Sequence, residues 1–456
     1  MHSLLRNTLL LAGFAGASFP QEKLVQEDRP LALANVTVID ATGSAPQPGM
    51  TVLISAGRIV SISPSTTARL PPNSVIEDSS EKFLIPGLWD MHVHVSGAGD
   101  LESRLYVANG VTSVREMGGN LVMVDWLRRK IDRGAFAGPR IFRAGPFVDG
   151  IKPGVPDRLV PANADEGRDA VHYLKQFGVD FIKVHTGVSR LAYLALMAEA
   201  KKEGVAVAGH VPLAITPIEA SDAGQRTIEH MSVLGEKRAN ELLNSGVPMD
   251  RVSKIMDAEM PALFQAMARN GTWIDPTLVA MHQTAYRYQI ANQPDERRKY
   301  IAASNRSGWD RAWPAIQEGD KTKAIRADVF NSQMKLVAQM KASGVRFVAG
   351  TDTGIRDSYP GFSLHDELEW LCRAGLSEME ALQTATRNPA IVMDRANSLG
   401  TVEVGKNADL VILDGSPLDN ISNTKRIHAV VIGGKLLPRE SLSALMAEVE
   451  SLASKR

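Results

Sequence analysis

The chain has 456 residues, with 51 basic side chains balanced by 51 acidic ones. A formal net charge of zero gives no support for a nucleic-acid or other polyanionic partner, and a single cysteine, Cys372, excludes an intrachain disulfide. The length suits one large α/β domain with a smaller companion.

Met1 to Arg6 carries positive charge, Thr8 to Ala17 is apolar, and Ala15-Gly-Ala17 offers the small residues of a cleavage site. This pattern predicts a signal peptide over residues 1–20 and a periplasmic or secreted protein. The apolar run is too short to span a bilayer and no cysteine follows it to carry a lipid, so no stable membrane anchor is expected. Leu33 to Ile39, Thr51 to Ile54 and Arg58 to Ile62 then read as short antiparallel strands separated by Pro- and Gly-rich turns. A matching block, Asp409 to Leu413 and His428 to Lys435, lies near the other end. Neither block makes a stable sheet alone. One composite β-sandwich domain, residues 31–84 plus 394–440, is therefore expected, with residues 85–393 inserted between its halves.

The inserted stretch alternates short β-branched runs with helix-compatible segments. The runs end near His94, Val114, Phe142, His185, His210, His230, Pro276 and Gly350; the helical segments include Leu191 to Glu203 and Ser332 to Ala342. Eight such units predict an α/β fold, a (β/α)8 TIM-like barrel. The long stretch Thr277 to Gly344, which contains Trp309 and Trp313, is read as an added helical lid or a homo-oligomer contact. Leu376 to Arg387 reads as a surface helix, and residues 441–456 as a C-terminal helical tail. Cys372, in a helical run, reads as buried filler.

Barrel enzymes place their working residues at the carboxyl ends of strands. The first strand ends in His92 and His94, two imidazoles at i and i+2 that share a face. Later strands end in Lys183 and His185, in His210, in His230 and in Asp352. Taken singly, a histidine or aspartate at a strand end is more often a hydrogen-bonding residue. Their convergence on strands one, four, five, six and eight reads as a metal site, and four histidines with an aspartate suit zinc. His185 shares the Lys183 face by alternation, so a contact with substrate or a structural hydrogen bond are both open to it. Arg115 and Arg143 end strands two and three, placed either to grip a substrate carboxylate or to pair with neighbouring acids. His172, His282 and His428 do not fit ligand positions.

Ile85-Pro-Gly-Leu-Trp-Asp-Met-His-Val-His94, Gly209-His210, Glu229-His230, Ala349-Gly-Thr-Asp352, Thr384 to Ala390 and Gly405 to Leu410 together resemble the metal-dependent amidohydrolase superfamily, in its imidazolonepropionase-like and carbamate-lysine dipeptidase branch. The resemblance implies two divalent metal ions, zinc by preference, with His92, His94 and Asp352 around the more buried one and His210 and His230 around the second. Lys183, as an N6-carboxylysine formed with CO2, would bridge them; an unmodified Lys183 beside a single metal is the alternative. It further implies hydrolysis of the amide of a dipeptide or N-acyl amino acid, by a hydroxide between the metals with Asp352 as general base and acid. The motif Gly361-Phe-Ser-Leu-His365 gives His365 a supporting place near substrate. Rival readings on the same site are a mononuclear hydrolase or deaminase of a cyclic amide or heterocycle, and a lactone or organophosphate hydrolase.

Overall fold

The computed structural model describes residues 29–95, 99–151, 158–290, 293–318 and 323–456. The expected signal peptide lies outside them. Among the described residues no helix is long and apolar enough to cross a membrane.

Strands from both chain ends join in one sheet of eight. Leu31–Val38 pairs antiparallel with Gln47–Ser55, which pairs with Arg58–Pro64. On its other side Leu31–Val38 runs parallel to Val75–Asp78 and Phe83–Pro86. Phe83–Pro86 then meets Leu410–Leu413 in register, Leu84 opposite Ile412, and Ile427–Ile432 and Lys435–Pro438 complete the sheet. Period-two alternation turns Leu31, Leu33, Val52, Ile54, Leu84, Leu410, Ile412 and Val431 into a single buried core. No set is large enough alone, so each chain end supplies the apolar face that the other covers.

The inserted segment forms eight parallel strands: Leu88–Val93, Val111–Glu116, Arg140–Arg143, Ile182–Val184, Val207–Gly209, Thr227–Glu229, Trp273–Asp275 and Arg346–Phe347. Met91 N bonds Ala349 O at 2.9 Å and Asp180 N bonds Arg143 O at 2.9 Å, which closes the ring at both seams. Trp89, Phe142, Phe181, Ala208, Trp273 and Val348 pack together as an apolar plug. Two residues further along the same strand faces come Lys183, His210 and Asp275, so the polar layer sits directly above the plug.

One expectation about the outer helices changes. Leu376 to Arg387 is no surface helix: Glu378–Thr384 and Arg387–Val392 bury Ala381, Leu382 and Ala385, and the carbonyls of Thr384 and Ala385 accept from Ala349 and Trp89 at the foot of the barrel. The tail helix Arg439–Ala453 packs Val449 and Ala453 against Leu101 and Leu105 of the helix Gly99–Ala108. The stretch after strand seven holds Leu278–Ile290, Ala303–Glu318 and Lys323–Ala342, and Arg356, from the loop after strand eight, donates to Trp309 O. Cys372 is half-buried and burial pushes its thiol up to about 11, in keeping with inert filler.

Glu367, on Phe362–Arg373, is fully buried and accepts from Val279 N at 2.7 Å. Its second oxygen has no partner, and burial pushes its carboxyl up to about 8. The folded state thus favours the protonated acid, a stabilisation complete below the unfolded value near pH ~4.3 and lost as pH rises to about 8. Glu367→Gln keeps the acceptor and removes the titration. Its stability relative to wild type, read by denaturant unfolding, should climb between pH 5 and pH 9; a constant difference would refute the assignment.

Candidate active site

Strand one delivers His92 and His94 to the mouth. His92 Nε2 lies 3.5 Å and His94 Nε2 3.4 Å from Asp352 Oδ1. His230 lies tilted against His92, ring centres 4.7 Å apart, and His210 meets His230 edge-on at 4.9 Å. His92, His230 and Asp352 offer ligand atoms within 4.8 Å of one another. That trio cuts across the expected division, which put His230 with His210 on the second metal. Lys183 is buried with Nζ lacking any hydrogen-bond partner, and its charge weakens protonation of His92, His210 and His230 around it. All six sequence-derived ligand candidates thus gather at one end of the barrel.

Local backbone makes the gathering possible. His230 and Asp352 adopt φ of 68° and 54°, left-handed values that are costly for side-chain-bearing residues and concentrate at functional sites. At His230 this turn lets Glu229 and His230 both reach His92, which plain strand alternation forbids. Gly350 must be glycine, because a Cβ there would overlap the Asp275 carboxylate and come within 2.7 Å of His92 N.

Electrostatics prepare the imidazoles as ligands. Burial, helped by the Lys183 charge, holds His92 and His210 well below the usual histidine value. Burial also lowers His230. Neutral rings keep the lone pairs a cation needs. For His94 burial is outweighed by Asp352 and Glu116, and its value rises. Burial likewise opposes the Asp352 charge, but His92, His94 and His230 hold that carboxyl well below its ordinary range. Burial brings Lys183 down to about 8, so an appreciable fraction is neutral amine near neutrality.

Three of the rings are oriented by a partner for the other nitrogen. His92 Nδ1 lies 3.3 Å from Glu229 Oε2, His94 Nδ1 3.2 Å from Gly118 O and His230 Nδ1 2.8 Å from Thr277 Oγ1. Such partners fix tautomer and raise ligand basicity. His185 stands 4.0 Å from the His210 ring, with Nδ1 3.1 Å from Thr186 Oγ1 and 3.4 Å from Asp149 Oδ2. It belongs to the cluster by position.

Three suggested substrate contacts are corrected. Arg115 is buried under the histidines; Nε donates to Met91 O at 2.6 Å, Nη1 to Thr227 Oγ1 at 2.9 Å and Nη2 to Glu229 Oε2 at 2.7 Å. Arg143 is likewise engaged with Asp125 at 2.6 Å and Phe177 O at 3.1 Å. His365 lies between Thr424 Oγ1 at 2.9 Å and Asn109 O at 3.1 Å, tying the barrel to the segment Ile421–Lys425. His172, His282 and His428 lie outside the cluster: His172 pairs with Glu199, His282 packs among Tyr286, Phe330 and Trp370, and His428 pairs with Asp414.

Sequence reading passed over Glu229 and Asp275. With His92 they form a second ligand-capable group, but Arg115 Nη2, 2.7 Å from Glu229 and 3.6 Å from Asp275, already supplies the cation there. Burial and the neighbouring Glu229 push the Asp275 carboxyl well up. Strand seven therefore contributes to the centre as well. Its signal was Asp275 at the end of Trp273-Ile-Asp-Pro276.

A sequence profile of the Amidohydrolase family matches residues 83–437. Ochratoxinase from Aspergillus niger is 24% identical over 385 residues, covering 77% of this chain and 75% of that protein. Among solved structures, bottromycin amidohydrolase superposes with a TM-score of 0.74 at 25% identity, over 95% of this chain and 92% of that one. A putative prolidase from Bifidobacterium longum gives 0.70 at 25% identity, over 92% and 99%. With barrel, composite sheet and a mouth of imidazoles around one aspartate in place, the match spans most of the molecule: the chain belongs to the Amidohydrolase family.

Proposed function

We propose that this enzyme is a two-metal hydrolase that cleaves the amide of a dipeptide or N-acyl amino acid, exported from the cytoplasm by its N-terminal segment. The observation that carries the reading is Lys183. A buried amine with no hydrogen-bond partner, placed among His92, His210 and His230, is an unsatisfied group in a native fold. Carbamate formation (amine plus CO2 giving N-carboxylate and a proton) converts it to an anion whose two oxygens suit two cations. His210 Nδ1 is likewise buried without a partner. These orphaned atoms fit a bound group, held by His92, His94, Lys183, His210, His230 and Asp352.

Bound there, two divalent cations would acidify water and polarise the scissile carbonyl. Asp352, unprotonated and 3.4–3.5 Å from two imidazoles, takes the proton from the attacking water and delivers it to the departing nitrogen. Glu229, Gly118 O and Thr277 keep the three rings in place meanwhile. His185, beside His210, hydrogen-bonds the substrate. Ochratoxinase, bottromycin amidohydrolase and a Xaa-Pro dipeptidase among the similar proteins support the amide class.

The compact trio His92, His230 and Asp352 also suits a mononuclear enzyme, and metal counting separates the two readings. Purified protein should carry two equivalents of divalent metal, hydrolyse members of a dipeptide and N-acyl amino acid library, lose that activity to a chelator and regain it with zinc. One equivalent at full activity would establish the mononuclear form. Turnover of lactones or phosphotriesters alone would overturn the amide assignment.

A further inference from the structure

Resting on the amide reading above, we propose that the cavity above barrel strands four to six is the side-chain pocket for the substrate, and that it takes a large apolar or aromatic group. The cavity occupies about 360 Å³. An apolar cavity of ~150 Å³ holds benzene, so this one has room for an indole or a substituted phenyl ring. Its position follows from the chain: Thr186 comes directly after His185, Val211 and Pro212 directly after His210, and Val233 and Leu234 shortly after His230. The segments that directly follow three of the site histidines therefore form part of the cavity wall.

The chemistry of the walls selects the group. Val211, Ile215, Met260 and Leu263 are buried and apolar. Four charged residues border the cavity: Arg238, Glu241 and Glu259 are exposed and so mark its rim, Lys237 is half-buried, and Arg238 is bound to Glu259 through Nε at 3.0 Å and Nη2 at 2.8 Å. A charged side chain would be desolvated against those apolar walls, where Lys237 is the one charged lining residue that is not exposed. Two large aliphatic side chains at the border, Leu213 and Ile218, are 53% and 38% exposed, an arrangement that becomes favourable when an apolar ligand covers them.

The metal-loaded protein tests this through Leu213→Asp, a substitution at an exposed residue outside the metal-binding set. Substrates are paired N-acetyl or dipeptide amides that differ only in carrying a glycine or a phenylalanine side chain. Relative to wild type, kcat/KM for the phenylalanine member should fall at least tenfold while the glycine member is unchanged, and binding of indole, followed by NMR, should weaken at least tenfold. Amide hydrolysis with the same phenylalanine-to-glycine preference in both proteins would overturn the pocket. If no amide is hydrolysed yet Leu213→Asp still weakens indole binding, the cavity stands as an aromatic pocket and the amide reading falls. Indole binding and side-chain preference both unchanged in Leu213→Asp would refute the inference outright.

Discussion

Lys183→Ala should leave a folded protein that binds no more than one metal equivalent and has lost roughly 10³-fold or more in kcat, the scale set by losing the group that readies the nucleophile. The fold survives because Lys183 makes no hydrogen bond that its neighbours depend on. Acetate should partly restore activity, since its two oxygens enter the space vacated by the side chain. Carbon-13-labelled bicarbonate should give a carbamate resonance in wild type that is missing from the variant. Metal analysis and kinetics check the first expectation, NMR the second. A variant that keeps two metals and wild-type turnover would end the bridging-carbamate reading.

Glu229→Gln should be the most costly single change below the mouth. The Glu229 carboxylate accepts from Arg115 at 2.7 Å, from Thr227, and from His92 Nδ1 at 3.3 Å. Breaking a buried ion pair from one side costs about 3–5 kcal/mol. The lower end applies, because Asp275, 3.6 Å from Arg115, can ionise and take over part of the pairing. Zinc affinity should fall as well, by about 10–100-fold, since His92 loses its orienting partner. Denaturant unfolding and competition titration with a zinc chelator measure the two effects. Combining Glu229→Gln with Asp275→Asn should push the stability loss to the upper end, whereas a combined loss no larger than the single one would show that Asp275 gives no backup.

The ligand candidates were legible because strands write their geometry into sequence. An i, i+2 pair such as His92 and His94 points one way, and a polar residue ending an apolar run marks the wet end of a barrel strand. Arg115 escaped the same logic. Every residue of Val111–Glu116 is buried, so the strand carries no polar-apolar alternation to show which face looks inward or how deep it lies. Glu229 escaped for a different reason: alternation sends neighbours to opposite faces, and only the φ of 68° at His230 brings both to His92. The helix Glu378–Thr384 was misjudged because alanine and leucine spacing defines an apolar stripe without saying what covers it. The composite sheet was readable from two strand-rich ends that are each too small to stand alone.

That sheet has a consequence for biosynthesis. Phe83–Pro86 waits for its antiparallel partner Leu410–Leu413, which leaves the ribosome roughly 320 residues later, about 20–60 s at ~5–20 residues per second. Throughout that interval the nascent polypeptide carries an unpaired apolar edge at Leu84 and Ile85, the kind of template that recruits other chains. Holdase chaperones are expected to engage this protein until its last strands emerge, and a ribosome stalled before residue 410 would hold a barrel with its companion sheet still open.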